Sequence, residues 1–548
     1  MTTVARELTP TAGAATRLRR FALERPDQVA VRELDHGRWQ QRTFRELDQL
    51  VDLTCHALTR HGIRRGMRTV LMVPPGREFL ACAFALLRIG APPVMVDPGM
   101  GISGLGSCLK RAAPEAFIGI ARAHRARALL GWSRSTIRHR ISVGGGWNPP
   151  FTRSLEQWRQ GCELAVPYQE QVLESTETAA ILFTSGSTGP AKGAISHHGL
   201  IDQQIELIGR IHGIEAGEVD LPTFPLFGLF SVALGMTTII PDIDFTRPAD
   251  ADPAHLLDLI DQFDVTSMFA SPALLGNLAR YMKTKSRHAD RLRRVISAGA
   301  PARHDEIDQL LASLPSDVRI ETPYGATEAM PLCLIDHREF LATREQTDHG
   351  QGVCVGKPIS GIQIRISAID RRPDRDDCVT EGTAGEIWAS GPVVSRGYFE
   401  DPAADQQHKY IDEAGILWHR TGDLGCIDTP GRLWFRGRRS QMVQTSVGDL
   451  HTVAIERVFD VHPGVLRTAL VGYGPIGQQI PILCIEPLDD SGHPHPALIE
   501  ELKALGSTVS GADRIERFCF PGPFPVDIRH NAKIDRSSLA HRAAGILS

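Results

Sequence analysis

No pair of cysteines in this sequence stands in a CxxC arrangement; all ten are single, at positions such as Cys55, Cys162, Cys354 and Cys519. That scatter argues against a structural zinc site, and a chain of 548 residues needs no disulfide framework. The thiols are expected to be reduced and mostly buried, as small hydrophobes of a cytoplasmic protein. Excess charge of one sign is missing too, since the formal net charge is −4, which leaves no footprint for nucleic acid. One basic stretch (Arg122, Arg125, Arg127, Arg134, Arg138 and Arg140) has only Trp132 as an interleaved aromatic and reads as a solvated face. Repeats and low-complexity blocks are absent. The first residues carry Arg6, Glu7, Arg17, Arg19, Arg20 and Glu24 without an apolar run of signal-peptide length, so no leader is expected. Residues 221–240 contain no charge, but Pro222, Pro225, Gly228 and Gly235 interrupt them. They are expected to form buried core or a pocket wall, not a membrane span.

The length favours two or more domains, and 42% hydrophobic with 23% charged residues is the composition of a globular protein. The first four-fifths alternates helix-like and strand-like segments. Thr43 and Glu46 form a capping-box pattern ahead of Leu47, Leu50, Val51 and Leu58. Strands are expected over 68–73 and 93–96, with a helix over 79–89 between them. Asp252-Pro253 and Ser271-Pro272 read as helix starts on either side of an apolar strand at 265–269. The alternation predicts a layered α/β architecture with substantially parallel sheets. From about 382 to 436 it gives way to short strand-like runs (385–389, 417–419, 433–436) between turn residues. A smaller unit follows, with strands near 467–471 and 480–485, a helix carrying Leu498, Ile499, Leu502 and Leu505, and a loop-like tail at 521–533. The boundary is expected at the polar run Arg438-Arg439-Ser440-Gln441.

An apolar strand at 179–183 runs into Thr184-Ser185-Gly186-Ser187-Thr188-Gly189-Pro190-Ala191-Lys192-Gly193. The glycines let backbone N–H groups face an anion, while four hydroxyls and a lysine add donors. The spacing is not that of a Walker loop. Phosphate cradling follows from these residues; the identity of the nucleotide does not.

This run resembles the phosphate loop of the adenylate-forming superfamily, which includes acyl-CoA synthetases, luciferases and peptide-synthetase adenylation domains. Further motifs appear in that superfamily's order. Tyr324-Gly325-Ala326-Thr327-Glu328 is similar to its YGxTE, which implies Tyr324 near adenine, Thr327 on the α-phosphate and Glu328 as a Mg²⁺ ligand. Thr421-Gly422-Asp423 resembles its TGD, implying that Asp423 accepts from the ribose hydroxyls, and Gly437-Arg438 its GR, with Arg438 near the nucleotide. Ser297-Ala298-Gly299-Ala300-Pro301 resembles the segment lining the substrate and adenine pocket. Lys533 corresponds to the lysine that the C-terminal domain delivers to the reacting carboxylate, where a cation would stabilise developing charge. The resemblance covers essentially the whole chain. It implies ATP and Mg²⁺, a catalytic set of Thr184, Lys192, Glu328 and Lys533, a large N-terminal α/β AMP-binding domain (1–439) with layered sheets, and a small mobile α+β C-terminal lid (440–548).

Departures bear on what captures the adenylate. Gly228 follows Pro225-Leu226-Phe227 where acyl-CoA synthetases usually carry a histidine, Ser440 takes the hinge position, and Val447 replaces a glycine beside the pantetheine tunnel. A β-branched side chain where backbone must approach a ligand closely puts CoA thioester formation in doubt. Leu221-Pro222-Thr223-Phe224-Pro225, Pro241-Asp242-Ile243-Asp244, Thr246-Arg247-Pro248 and the stretch from Phe524 to Ile534 resemble olefin β-lactone synthetases of bacterial long-chain olefin biosynthesis. That likeness implies a long-chain 2-alkyl-3-hydroxy acid substrate, intramolecular closure to a β-lactone, and possible association with other enzymes of the same pathway. The alternatives are a long-chain acyl-CoA or acyl-AMP ligase, or a non-catalytic acyl-binding scaffold. His198, His451 and His530 are candidates for taking the hydroxyl proton, His198 more readily as a structural histidine. The regions 224–234 and 269–275 are expected to line the acyl pocket or simply pack the core.

Overall fold

The computed structural model describes residues 13–162, 166–184, 191–374, 377–488, 496–526 and 534–547. Three sheets build the part up to Arg438. The first has nine strands in the order Lys357–Pro358, Ala329–Asp336, Arg319–Ala326, Arg294–Ser297, Ser267–Ala270, Val219–Pro222, Thr237–Ile240, Val29–Asp35 and Arg38–Thr43. Its interior pairings are parallel and its edges antiparallel. The second, seven-stranded, runs Arg153–Ser154, His139–Ser142, Ala116–Gly119, Thr69–Met72, Pro93–Val96, Thr178–Thr184 and Lys192–His197. It is parallel except for the last pair. The third is antiparallel and holds Gly385–Ser390, Leu417–Ile427 and Leu433–Arg438 at its centre.

Local chemistry explains where the elements begin. Thr43 accepts from the Glu46 backbone N–H while the Glu46 carboxylate takes the Thr43 N–H, so the expected capping box opens the helix Phe44–Arg60. Asp252 and Ser271 cap the helices Pro253–Gln262 and Pro272–Lys285, each with proline in the first turn. The uncharged run 221–240 becomes strand, helix (Pro225–Ala233) and strand, with Leu221, Val232 and Ile239 fully buried. Among the described residues no helix is long and apolar enough to cross a membrane. Eight of the ten cysteines are buried and none is bridged.

After the short turn of helix Arg439–Gln441 come a hairpin (Val443–Thr445 with Gly448–Leu450) and a sheet of Val465–Tyr473, Ile480–Pro487 and Arg517–Cys519. The helices Thr452–Phe459 and Arg536–Leu547 pack on these strands, and Pro496–Gly506 packs on Thr452–Phe459. The partly buried Arg536–Glu456 ion pair ties the helix Arg536–Leu547 to Thr452–Phe459.

A short segment helps to tie the sheets together. Ala194 bridges Tyr398, and Ala329 bridges Val394. The Ile195 N–H donates to the Gly397 carbonyl (3.1 Å), Phe399 N–H to Gly193 (2.8 Å) and Ser395 N–H to Glu328 (2.7 Å). Residues 394–399 thus tie the edge strand Lys192–His197 to the hairpin that carries Glu328.

Candidate active site

Tyr324, Asp423 and Arg438 converge from two sheets. Asp423 and Arg438 face each other across neighbouring strands, and Tyr324 lies near the end of Arg319–Ala326. The Tyr324 hydroxyl donates to Asp423 Oδ2 at 2.7 Å, and Arg438 Nε stands 3.1 Å from Oδ1. The arginine contact is not aligned as a hydrogen bond, so Oδ1 remains a buried acceptor without a donor. Burial, then the Asp423 charge, pushes the Tyr324 hydroxyl well above its usual range; the same carboxylate raises Arg438 further. The result is a charged acceptor beside an aromatic ring, suited to a diol next to a heteroaromatic base.

Position explains why Gly325 belongs in this motif. A Cβ there would lie 2.5 Å from the Ala329 carbonyl oxygen and 3.1 Å from Met330 Cα. Backbone cannot yield like the end of a side chain, so glycine permits the bulge between Tyr324 and Ala326. Ala326 pairs with Ala329, which makes Thr327 and Glu328 a two-residue hairpin loop. Ser297-Ala298-Gly299-Ala300-Pro301 follows the neighbouring parallel strand at its carboxyl end, where ligands of open α/β sheets bind. The Ser297 hydroxyl is buried there without a hydrogen-bond partner.

A second cluster surrounds Glu328. Its Oε1 accepts from the Tyr398 hydroxyl at 3.1 Å. Lys192 Nζ and Lys409 Nζ stand 5.7 and 5.6 Å from the Tyr398 ring centre, within cation–π range. Lys192 donates to His408 Nε2 (2.6 Å), whose Nδ1–H donates to the Arg420 carbonyl (3.1 Å). These two bonds define the tautomer, with the Nε2 lone pair on the lysine. Lys409 donates to the carbonyl (2.6 Å) and hydroxyl (3.0 Å) of Ser395. Burial lowers Lys409 to about 8 against the opposing pull of Glu328 and Asp405, and lowers Lys192 and His408 as well.

Thr184 pairs with Lys192, the two lying on either side of the segment read from the sequence as a phosphate loop. Ser185, Gly186, Ser187, Thr188 and Gly189 lie outside the described residues, as do Lys533 and His530. Among the residues that sequence reasoning named, the structure brings Lys192 and Glu328 into one cluster and Tyr324, Asp423 and Arg438 into the other. Tyr398, His408, Lys409 and Ser395 went unmarked. The signal that could have found them is the pair His408-Lys409, where a helix that starts at Asp401-Pro402 gives way to the strand Lys409–Ile411.

The remaining histidines look structural. Burial lowers His198 and His451 to about 4; His451 Nδ1 accepts from Arg436 Nε (3.1 Å). In the expected acyl region, Phe227 stacks on Phe269 with ring centres 3.5 Å apart, and Phe224 and Phe230 adjoin them. Val447 is at a hairpin turn with 75% of its surface exposed, so its branch meets solvent instead of filling core.

A metal here would find the Glu328 carboxylate, and among the described residues no group of three potential ligands exists. That donor set fits Mg²⁺, which commonly takes one or two carboxylates and completes its shell with water and phosphate oxygens.

Comparison with known proteins bears on the same residues. A family described as AMP-binding enzyme matches residues 18–399. The chain is 43% identical over 546 residues to an olefin beta-lactone synthetase of Stenotrophomonas maltophilia, covering 96% of this chain and 97% of the relative. It is 42% identical over 561 residues to an olefin beta-lactone synthetase of Xanthomonas campestris pv. campestris, covering 98% of each. Among solved structures, the amide bond synthetase McbA of Marinactinospora thermotolerans superposes with a TM-score of 0.78 at 22% identity, over 96% of this chain and 99% of that one. At that identity the likeness is one of fold.

Proposed function

The chain belongs to the AMP-binding family of adenylate-forming enzymes, and we propose that it converts a long-chain 2-alkyl-3-hydroxy acid to a β-lactone. It is an ATP-dependent ligase. The observation that carries the finer reading is identity of 42–43% along nearly the whole chain with two olefin beta-lactone synthetases.

In the proposed reaction a substrate carboxylate oxygen attacks the α-phosphorus of ATP, and pyrophosphate leaves. The substrate's 3-hydroxyl then attacks the activated carbonyl carbon, closing the four-membered ring, losing its proton and expelling AMP. Nucleophile and electrophile share one bound molecule, so orientation supplies much of the rate without a second substrate. Asp423 is assigned to the ribose hydroxyls, with Oδ1 as the open acceptor; Tyr324 and Ser297 to Pro301 flank the base, and Arg438 steadies the carboxylate. Thr327 and Thr184 are assigned to phosphate oxygens, and Lys192, oriented by His408, to the departing pyrophosphate. Glu328, held by Tyr398, would carry Mg²⁺, which when bound neutralises phosphate charge. Lys533 is assigned to the reacting carboxylate, with residues 440–548 as the lid that delivers it and 1–439 as the AMP-binding domain. A cytoplasmic location agrees with ten unbridged cysteines.

The test supplies ATP, Mg²⁺ and a long-chain β-hydroxy acid, with and without CoA, and identifies the acyl product. A β-lactone formed without CoA is expected. A thioester that requires CoA, with no lactone, would replace this reading with that of an acyl-CoA ligase.

A further inference from the structure

The basic stretch read from sequence as a solvated face acquires aromatics in three dimensions. Between Glu115 and Glu156 the chain has seven arginines and no acidic residue. The helix Ala121–Leu130 buries Ala121, His124 and Arg127, which leaves Arg122, Arg125 and Leu129 on its outer face at spacings of three and four. Arg125 Nη1 donates to the Trp147 carbonyl at 3.2 Å, which brings the loop after the strand His139–Ser142 alongside the helix. Leu129, Phe151 and Trp147 expose 86, 85 and 68% of their surface, and Leu130 48%. Phe151 sits at φ +64°, a conformation rare for a bulky residue, in a turn where the Thr152 N–H meets the Pro149 carbonyl (3.3 Å). Arg134, Arg138 and Arg153 are exposed as well. Among the described residues none of these five exposed arginines forms an ion pair.

We propose that the helix Ala121–Leu130 and the loop bearing Trp147 and Phe151 form a docking surface for an anionic lipid bilayer. Guanidinium groups without local counter-charges match anionic headgroups. Large apolar side chains beside them match the acyl boundary, where Trp in particular settles. Single-stranded nucleic acid fits less well, because its bases could stack on Trp147 and Phe151 but would leave Leu129 and Leu130 uncovered. The helix begins at the carboxyl end of the same parallel sheet from which the strand Thr178–Thr184 enters the phosphate loop, so a docked enzyme keeps that end of the sheet near the membrane. A surface of this kind would bring the enzyme to poorly soluble acyl substrates. The inference rests on exposed side chains and charge, and stands whether the adenylate ends as lactone or thioester.

The test is flotation of the full chain with vesicles of phosphatidylcholine alone or with about 30% phosphatidylglycerol. Binding to the anionic vesicles, weakened as salt rises to about 0.5 M, is the expected result. Trp147→Ser/Phe151→Ser and Arg122→Glu/Arg134→Glu are each expected to lower it at least about tenfold. Both variants should keep ATP–pyrophosphate exchange with a short soluble acid, which shows that they fold. Absence of binding at low salt, variants that bind as well as the parent, or displacement of the vesicles by an acidic protein would overturn the proposal.

Discussion

The most consequential single atom is Asp423 Oδ1, a buried acceptor between Tyr324 and Arg438 that has no aligned donor. Asp423→Ala removes it and leaves Arg438 without its partner, so adenylation measured by ATP–pyrophosphate exchange should fall by about 10²-fold or more. His408 makes a subtler prediction. It does not reach the substrate in this account; it orients Lys192 through a 2.6 Å bond. His408→Ala should therefore raise the KM for pyrophosphate in the exchange reaction about tenfold while leaving the KM for the acid unchanged. His408→Gln, which restores an acceptor, should recover part of the loss; equal losses in every parameter would mean a merely structural role. Legibility at this scale is uneven. Tyr324, Glu328, Asp423 and Arg438 stand inside recognisable motifs, whereas His408, Lys409 and Tyr398 gain meaning only when three sheets meet around Glu328.

Among the elements, those with local start signals were readable from sequence. The capping box at Thr43 and the proline-started helices at Pro253 and Pro272 form as expected because their determinants lie within four residues. The run around Asp423 behaves differently. The sequence suggests a short strand and then turns, but Leu417–Ile427 is one strand of 11 residues, because pairing on both sides outweighs the turn preference of Gly422 and Asp423. Asp423 is thus a rigid strand residue. Gly325→Ala places a Cβ against the Ala329 carbonyl, so loss of exchange activity together with a lower Tm is expected, a destabilisation of about 2 kcal/mol or more. Asp220 tests an element junction by pH. It lies on Val219–Pro222, accepts from Ser231 (2.5 Å) on the next helix, and is raised from 3.8 to about 6, chiefly by burial. The folded state therefore holds this proton more tightly than the unfolded chain. Its stabilising effect is full below the unfolded pKa and lost as pH rises through about 6. Asp220→Asn should thus raise Tm at pH near 8, by up to about 3 kcal/mol of stability, with the gain vanishing near pH 4. A gain independent of pH would contradict that assignment.

For the whole molecule, layered α/β architecture was legible from alternating patterns, but the meeting of the sheets at residues 394–399 was not. It depends on contacts between segments that are far apart in the chain, such as Ala194 with Tyr398 and Ala329 with Val394. The part beyond Arg438 leans on the pocket segment through Arg457, which donates to the carbonyls of Ala302 (3.2 Å) and Pro301 (3.4 Å), while Arg303 donates to Leu466 (2.6 Å). These bonds are exposed or partly buried, and the helix Thr452–Phe459 also packs on the strand Leu433–Arg438, so the lid role proposed for residues 440–548 would require both sets of contacts to release. The central claim is that the acid passes through an acyl-adenylate and is captured by its own hydroxyl. The most direct measurement starts from a long-chain β-hydroxy acid carrying heavy oxygen in both carboxyl positions and follows the label by mass spectrometry without CoA. One heavy oxygen is expected in AMP and one in the lactone carbonyl, with an unlabelled ring oxygen. Unlabelled AMP, or a labelled ring oxygen, would contradict it.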